Sequence, residues 1–206
     1  MLLIGLTGGI GSGKSSVAQR LVDRGAVLVD ADAIVRELQT PGTVVFSEMV
    51  DRFGEGIVAS DGTLDRAAVA ELVFNDSEAL TDLGLIVHPR VHSEIERRVK
   101  EQADTDNVVV LDIPLLGESG WPGLRGTIVV DLDPEVAVAR LVEQRGFDEA
   151  DARARIANQA TREDRLALAD FVVDNSGSPE DLDAEVDRLW AWLDGLAAAG
   201  DPGANG

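Results

Sequence analysis

The glycine-rich segment near the start of the chain restricts the possible folds more than any other feature. Residues 8–15 read Gly-Gly-Ile-Gly-Ser-Gly-Lys-Ser, which matches the pattern G-x-x-x-x-G-K-[ST] in full. The apolar run at residues 2–7 predicts a buried strand directly before this segment, and apolar residues at helical spacing predict a helix that begins near Lys14. A strand, a glycine loop and a helix in this order are typical of a phosphate-binding loop, and we call residues 8–15 the P-loop.

The residue types of the P-loop each have a chemical role. Glycines let successive backbone N–H groups point at phosphate oxygens, and the start of the helix adds positive charge. Lys14 is expected to reach the β- and γ-phosphates of a nucleotide, and the Ser15 hydroxyl is expected to ligate Mg²⁺. Lys14 and Lys100 are the two lysines in the chain. The pattern therefore predicts a site for the phosphates of ATP or GTP.

The rest of the chain alternates short apolar runs with longer helical patterns, which predicts a parallel α/β fold. We expect a P-loop NTPase three-layer core with a five-stranded parallel sheet, a helical acceptor-binding insertion and an arginine-rich lid. The tail is rich in glycine, alanine and proline and is expected to be disordered. The predicted strands are 2–7, 26–29, 108–111, 127–130 and 171–173. The predicted parts are a core at 1–32, 104–144 and 166–194, the insertion at 33–103, the lid at 145–165 and the tail at 195–206. The helices predicted in the insertion are 33–38, 44–53, 67–74, 78–86 and 91–103, and the last helix is predicted at 179–193.

Composition excludes several classes of protein. The chain has 38 acidic and 18 basic side chains, a formal net charge of −20, and 45% hydrophobic residues, which is enough for a sizeable core. Nucleic acids and anionic membranes need a basic face, so we expect neither as a partner. There is no cysteine, which excludes disulfides and thiol catalysis. No run is long enough for a signal peptide core or a membrane span, so we expect a soluble, cytoplasmic protein, a monomer or a weak homo-oligomer.

Missing motifs narrow the class of nucleotide enzyme. A GTPase should carry an N-K-x-D segment and a transporter ATPase an L-S-G-G-Q-like segment, and the chain has neither. A small-molecule kinase remains, since an arginine-rich lid can neutralise the charge of a transferring phosphoryl group away from water.

Carboxylates follow two of the predicted strands. Asp30 and Asp32 come at the carboxyl end of the second strand, where ligands bind in open α/β sheets. Asp32 is our candidate for the base that takes the proton of an acceptor hydroxyl, and Asp30 would orient it or hold a Mg²⁺-bound water. The alternative is that either residue only caps the next helix. Asp112 follows the third strand and is a candidate for an outer-shell Mg²⁺ or acceptor role, or for a strand-end cap.

Together these segments resemble the dephospho-coenzyme A kinase family. The resemblance spans residues 4 to about 193 and implies ATP-dependent transfer, with Mg²⁺, to the 3′-hydroxyl of dephospho-coenzyme A. The matching stretches are G-L-T-G-G-I-G-S-G-K-S at 5–15, D-A-D at 30–32, H-P at 88–89, D-I-P-L-L at 112–116 and D-N-S-G-S at 174–178.

The resemblance also implies roles for single residues. It places Arg140 and Arg145 on phosphates, Asn175 near the adenine, and Thr7, His88 and Asp112 on the acceptor side. The residues implied for the ATP loop are Gly11, Ser12, Gly13, Lys14, Ser15 and Ser16. Gly117 and Ala160 depart from the family pattern, which often has an aromatic residue and a methionine there.

Two alternatives remain open from the sequence. One is a kinase for a nucleoside, a nucleoside monophosphate or another metabolite, and the other is a nucleotide-binding switch without catalysis. His88 and His92 have a spacing that can bind a metal, but no acidic or cysteine partner completes a recognised site.

Overall fold

A parallel sheet of five strands forms the centre of the fold. The computed structural model describes residues 1–113 and 121–200. The strands are β1 (Leu2–Gly8), β2 (Val27–Asp30), β3 (Val108–Asp112), β4 (Thr127–Asp131) and β5 (Phe171–Asp174). Their spatial order is β2-β3-β1-β4-β5, with parallel pairing. The predicted α/β core with a five-stranded parallel sheet is confirmed.

The middle strands are apolar because they are buried. β1 lies between β3 and β4, with Leu6 opposite Asp112 and Gly8 opposite Val130. All five residues of β3 are buried, whereas the edge strands β2 and β5 are partly exposed. The P-loop therefore leaves the most enclosed strand, and Asp112 and Asp131 end the strands on either side of it.

Helices connect and cover the strands. In chain order they are α1 (Lys14–Asp23), α2 (Ala31–Leu38), α3 (Val44–Phe53), α4 (Arg66–Asn75), α5 (Ser77–Glu101), α6 (Pro134–Arg145), α7 (Glu149–Ala157), α8 (Arg162–Leu166) and α9 (Pro179–Gly200). A short 3₁₀ turn, Glu55–Ile57, lies between α3 and α4. Leu21 of α1 and Leu189 and Leu193 of α9 are fully buried in the same hydrophobic cluster as the strands.

The chain divides into two compact units. The first contains Met1–Val29 and Gln102–Gly206, and the second is Asp30–Glu101. The sequence-based borders of the helical insertion, 33 and 103, lie within three residues of the observed ones. The predicted lid at 145–165 contains α7 and α8 and belongs to the first unit.

The prediction of a disordered tail from residue 195 is wrong for residues 195–200. These residues continue α9, and Leu196 packs against the hydrophobic cluster. Ala197, Ala198 and Ala199 have the highest helix propensity, which outweighs the cost of Gly195. Residues 201–206 lie outside the described part of the chain, as do residues 114–116 of the D-I-P-L-L segment and Gly117.

The predicted break near Pro89 is also wrong. α5 runs from Ser77 to Glu101 with Pro89 inside it, so His88 and His92 lie in the middle of a helix and not at its start. Proline removes one backbone hydrogen bond, but the buried side chains of Val87 and Val91 continue the packed face on both sides of it. Gly84 lies beside His88, and a Cβ there would make an ordinary contact of 3.4 Å with the imidazole Cε1.

An ion-pair cluster joins α2 to α5 within the second unit. Glu94 accepts hydrogen bonds from Arg97 and Arg98, and Arg98 also donates to Glu37 on α2. The hydrogen bonds from Arg97 and Arg98 hold the pKa of Glu94 at about 2, below its usual 4.5. α2 carries Asp32 in its first turn, so this cluster fixes the helix that bears the candidate base.

The Glu94 cluster gives a pH-dependent contribution to stability. A carboxylate with a lowered folded-state pKa stabilises the fold above its unfolded pKa, and this contribution is lost as the pH falls through the folded value. We expect Glu94→Gln to lower the urea midpoint at about pH 7, with the difference from the parent protein shrinking between pH 4.5 and about 2. Glu71→Gln, at an exposed position on α4, is the control. If the difference in urea midpoint did not change with pH, the stabilisation would not come from the lowered pKa of Glu94.

Candidate active site

Two left-handed glycines shape the P-loop. Gly11 has φ +79° and Gly13, at the start of α1, has φ +86°, a region that other residues adopt only with strain. The Ser12 N–H donates to the Gly9 carbonyl at 3.1 Å, which closes the turn. Gly13 has no side chain to cap α1, so the first N–H groups of the helix remain available for an anion. The loop has the backbone conformation that phosphate binding requires.

Lys14 forms an ion pair with Asp112 at the carboxyl edge of the sheet. The Nζ of Lys14 donates to Oδ1 of Asp112, and the two side chains are 20% and 7% exposed. Asp112 ends β3, directly beside the strand that leads into the P-loop. The sequence predicted Lys14 for the phosphates and Asp112 for an Mg²⁺ or acceptor role, and the structure brings these two side chains together.

Asn175, directly after β5, forms a hydrogen bond with the backbone of the P-loop. Its side-chain Nδ2 donates to the Ser12 carbonyl at 2.7 Å, and Nη2 of Arg140 donates to the backbone carbonyl of Asn175 at 2.8 Å. Asn175 is only 7% exposed. A Cβ on Gly13 would overlap with Nδ2 of Asn175, so Gly13 is required for this close approach as well as for its φ. Asn175 thus positions the loop and also holds Arg140 beside it.

A cavity of about 430 Å³ opens beside the first turn of α1. Its volume lies in the range of small-molecule sites. Six of its lining residues are Gly11, Gly13, Ser16, Arg140, Arg145 and Asn175. All six were predicted for ATP or phosphate contacts from the sequence. Gln144 and Gly177 line it too, and the sequence did not single them out as site residues.

The segment 159–165 contacts the first half of the P-loop. Oε1 of Gln159 accepts from the Ile10 N–H at 2.9 Å. Arg162 donates to both carboxylate oxygens of Asp131 at 2.8 and 2.6 Å, and this guanidinium holds the pKa of Asp131 below its usual range. Gln159 and Asp131 escaped the sequence analysis because their partners lie 149 and 31 residues away in the chain.

The remaining predicted residues of the first unit are placed as follows. Thr7 is 4% exposed and lies on β1, opposite Val129. Ser15 lies exposed in the first turn of α1.

In the second unit, Asp30 is the N-cap of α2. Its Oδ1 accepts from the Ala33 N–H at 3.0 Å, and Oδ2 lies 3.8 Å from Nη2 of Arg36. Asp30 thus caps α2, and its predicted role in orienting Asp32 or holding a Mg²⁺-bound water stays a prediction. Asp32 lies exposed in the first turn of the same helix, with no need to act as its cap.

The two histidines are exposed on α5. Nε2 of His92 lies 3.2 Å from Oε1 of Glu96, and His88 lies next to Gly84. Within residues 1–113 and 121–200, the structure contains no group of three or more His, Cys, Asp or Glu residues that could hold a metal. No helix of the same ranges is long and apolar enough to cross a membrane.

The loop, the central strand that carries it and the cations beside it define a P-loop kinase. The model of the dephospho-CoA kinase family matches residues 2–181, and the chain belongs to this family. Its members use ATP to phosphorylate dephospho-coenzyme A in the last step of coenzyme A biosynthesis. The resemblance seen in the sequence is confirmed.

Individual relatives agree with the family assignment. The chain is similar to the dephospho-CoA kinase of Streptomyces avermitilis, with 49% identity over 194 residues that cover 94% of both chains. The dephospho-CoA kinase of Thermobifida fusca is 48% identical over 194 residues, 94% of this chain and 96% of the relative. Among solved structures, TT1252 from Thermus thermophilus has a TM-score of 0.76 and 37% identity, covering 93% of this chain and 97% of its own.

Asn175→Asp tests how the P-loop is fastened. The substitution keeps the shape of the side chain but removes the donor to the Ser12 carbonyl, leaving two oxygens in repulsive contact. We expect the KM for ATP to rise about 10-fold or more, since a lost buried hydrogen bond costs about 1–3 kcal/mol. Steady-state kinetics measure this. Asn75→Asp is the matched control, because its amide also donates to a backbone carbonyl, that of Glu71, on an exposed helix end. An unchanged KM for ATP would refute the role of Asn175.

Proposed function

We propose that this chain transfers the γ-phosphoryl group of ATP to the 3′-hydroxyl of dephospho-coenzyme A at the P-loop, with Asp32 as the base. The bond from the γ-phosphorus to the β,γ-bridging oxygen breaks and a bond to the 3′-oxygen forms. ADP leaves with the bridging electron pair, and the hydroxyl proton goes to Asp32. The observation that carries the proposal is the cavity lined by the P-loop, Arg140, Arg145 and Asn175.

Positioning and charge neutralisation supply most of the catalysis in phosphoryl transfer. In our proposal the N–H groups at the start of α1 bind phosphate oxygens. Lys14 binds the β- and γ-phosphates, and Arg140 and Arg145 neutralise further negative charge on the phosphates. Two of these cations are well placed for phosphate binding, because Arg140 is fixed by the carbonyl of Asn175 and Arg145 lines the cavity.

Mg²⁺ is the metal that this reaction class uses, and the donor set fits it. Mg²⁺ prefers oxygen ligands and retains several waters, so one hydroxyl and one outer carboxylate are sufficient from the protein. Ser15 offers an exposed hydroxyl in the first turn of α1, and Asp112 offers carboxylate oxygens at the end of β3. Asp30 is the other candidate, since each of the two carboxylates has one oxygen engaged, that of Asp30 by the α2 cap and that of Asp112 by Lys14. The ion would neutralise charge on the β- and γ-phosphates.

The second unit supplies the proposed base. Asp30 performs the capping of α2, which leaves the exposed Asp32 carboxylate available for a proton. The Arg98 contact with Glu37 holds the helix that carries Asp32. His88 and Thr7 remain proposed contacts of the acceptor.

An assay with purified protein, ATP, Mg²⁺ and dephospho-coenzyme A decides the proposal. We expect coenzyme A and ADP in equal amounts, and no product from Lys14→Met, whose folding is checked by circular dichroism. Adenosine and a nucleoside monophosphate serve as alternative acceptors. Turnover of these, with no coenzyme A formed, would favour a different metabolite kinase. Nucleotide binding without acceptor-dependent ADP release would favour a non-catalytic switch.

Asp32→Asn tests the base. A general base contributes about 10²- to 10⁴-fold, so we expect kcat to fall by about that factor with KM values near those of the parent enzyme. The matched control is Asp51→Asn, at an exposed position on α3. A kcat within about threefold of the parent value would show that another group accepts the proton.

We further propose that ATP and dephospho-coenzyme A are the partners of a cytoplasmic monomer that binds neither nucleic acid nor membranes. The net charge of −20 supports this, because anionic polymers and lipid surfaces are repelled by such a chain. Light scattering tests the monomer, and a filter-binding assay tests the absence of nucleic-acid binding.

A further inference from the structure

Arg165 lies against the backbone of the P-loop at Gly9. A Cβ built on Gly9 would be 3.0 Å from Nη2 and 3.2 Å from Cζ of Arg165. Gly9 is not among the glycines with positive φ, so its backbone conformation does not require glycine. A Cβ at this position would instead press on the Arg165 guanidinium, which would have to shift to make room. Two segments 156 residues apart are therefore fitted to one another at this point.

Arg165 differs from its neighbouring arginines in its partners. Arg162 is bound to both oxygens of Asp131, and Arg153 is bound to Glu135 and Glu149. Arg165 instead donates to the backbone carbonyl of Ala160, and no carboxylate of the described ranges lies within ion-pair distance of it. The charge of Arg165 helps to lower the pKa of Asp131, but none of the described carboxylates binds its half-buried guanidinium directly.

The surroundings hold Arg165 in place. Gln159 accepts from the Ile10 N–H, and Arg162 fixes the start of α8 on Asp131 at the end of β4. The carbonyl of Ala160 holds the guanidinium itself. The group is thus positioned in advance, as electrostatic stabilisation of a transition state requires.

The two sides of the P-loop border different cavities. The 430 Å³ cavity adjoins Gly11, Gly13 and Ser16, and in the proposed binding mode the nucleoside end of ATP lies on that side. In this mode the phosphates follow the loop and the terminal phosphate comes last. Arg165 and Gly9 lie on the other side, where they line a second, much smaller cavity together with Ile10.

We propose that Arg165 is a catalytic residue that donates to the γ-phosphoryl group as it transfers. The transferring group spreads negative charge over its outer oxygens, and an arginine held against them lowers the barrier to transfer. Arg140 and Arg145, on the cavity side, then serve the nucleotide before transfer. This inference rests on the proposed binding of ATP at the P-loop.

Arg165→Met and Arg165→Lys test the proposal, with Arg153→Met as the charge-matched control from the same lid. We expect kcat of Arg165→Met to fall about 100-fold or more, in line with other arginines that contact a transferring phosphoryl group. Arg165→Lys should restore part of it, since lysine keeps the charge but not the planar donors. Arg153→Met should retain the parent kcat. A kcat of Arg165→Met within about threefold of the parent would overturn the proposal.

Nucleotide binding separates catalysis from a bracing role. Calorimetry without acceptor should show weaker ATP binding by Arg165→Met and ADP binding within about twofold of the parent, because only ATP has the γ-phosphate. Equal losses for ATP and ADP, together with a lower melting temperature, would mean that Arg165 only braces the loop. This measurement needs no dephospho-coenzyme A, so it remains decisive even if the proposed acceptor is wrong.

Gly9→Ala supplies a second variant that leaves Arg165 in the chain. The added methyl group displaces the guanidinium, so kcat should fall in the same direction as for Arg165→Met. In the Arg165→Met background the same substitution should have almost no further effect. An equal fall in both backgrounds would mean that the methyl group obstructs the phosphate directly, and it would contradict the coupling of Gly9 to Arg165.

Discussion

The burial of β1 between β3 and β4 is the constraint on which the rest of the structure depends. Parallel strands end at the same edge of the sheet, and the register of β1 with β3 and β4 decides which residues lie beside its end. Gly8 of β1 pairs with Val130 of β4, and Leu6 of β1 pairs with Asp112 of β3. The P-loop therefore begins beside two strand-end carboxylates. One pairs with Lys14 and the other anchors the lid through Arg162.

These carboxylates explain how an acidic protein can hold polyphosphates. Each strand-end carboxylate is neutralised by a specific cation, so neither leaves an uncompensated charge at the mouth of the loop. Arg140 donates to a backbone carbonyl, as does Arg165. Carbonyl partners orient a guanidinium without cancelling its charge, so these two arginines keep their positive charge beside the P-loop.

Sequence patterns predicted most of the features that depend on residues close together in the chain. The P-loop, its flanking strand and helix, and the five strands follow from short-range periodicity and glycine spacing. Arg140, Arg145 and Asn175 line one cavity together with P-loop glycines, and their roles there stay predictions. What could not be predicted depends on contacts between distant segments. One example is the hydrogen bond between Gln159 and Ile10, which lie 149 residues apart in the chain. Another is α5, in which the packed face and not the local sequence shows that the helix continues through Pro89.

The fit of Asn175 against Gly13 limits how sequences of this kind can vary. Gly13 meets two separate demands, a φ of +86° and an empty Cβ position that the Asn175 amide occupies. A larger side chain at Asn175 would press on the loop even with glycine retained. A smaller one would lose the hydrogen bond to the Ser12 carbonyl but keep the backbone carbonyl that holds Arg140. The φ of Gly13 would still exclude other residues if Asn175 were replaced, whereas Asn175 can lie where it does only because position 13 has no Cβ. The constraint between these positions, 162 residues apart, therefore runs in one direction, from Gly13 to Asn175.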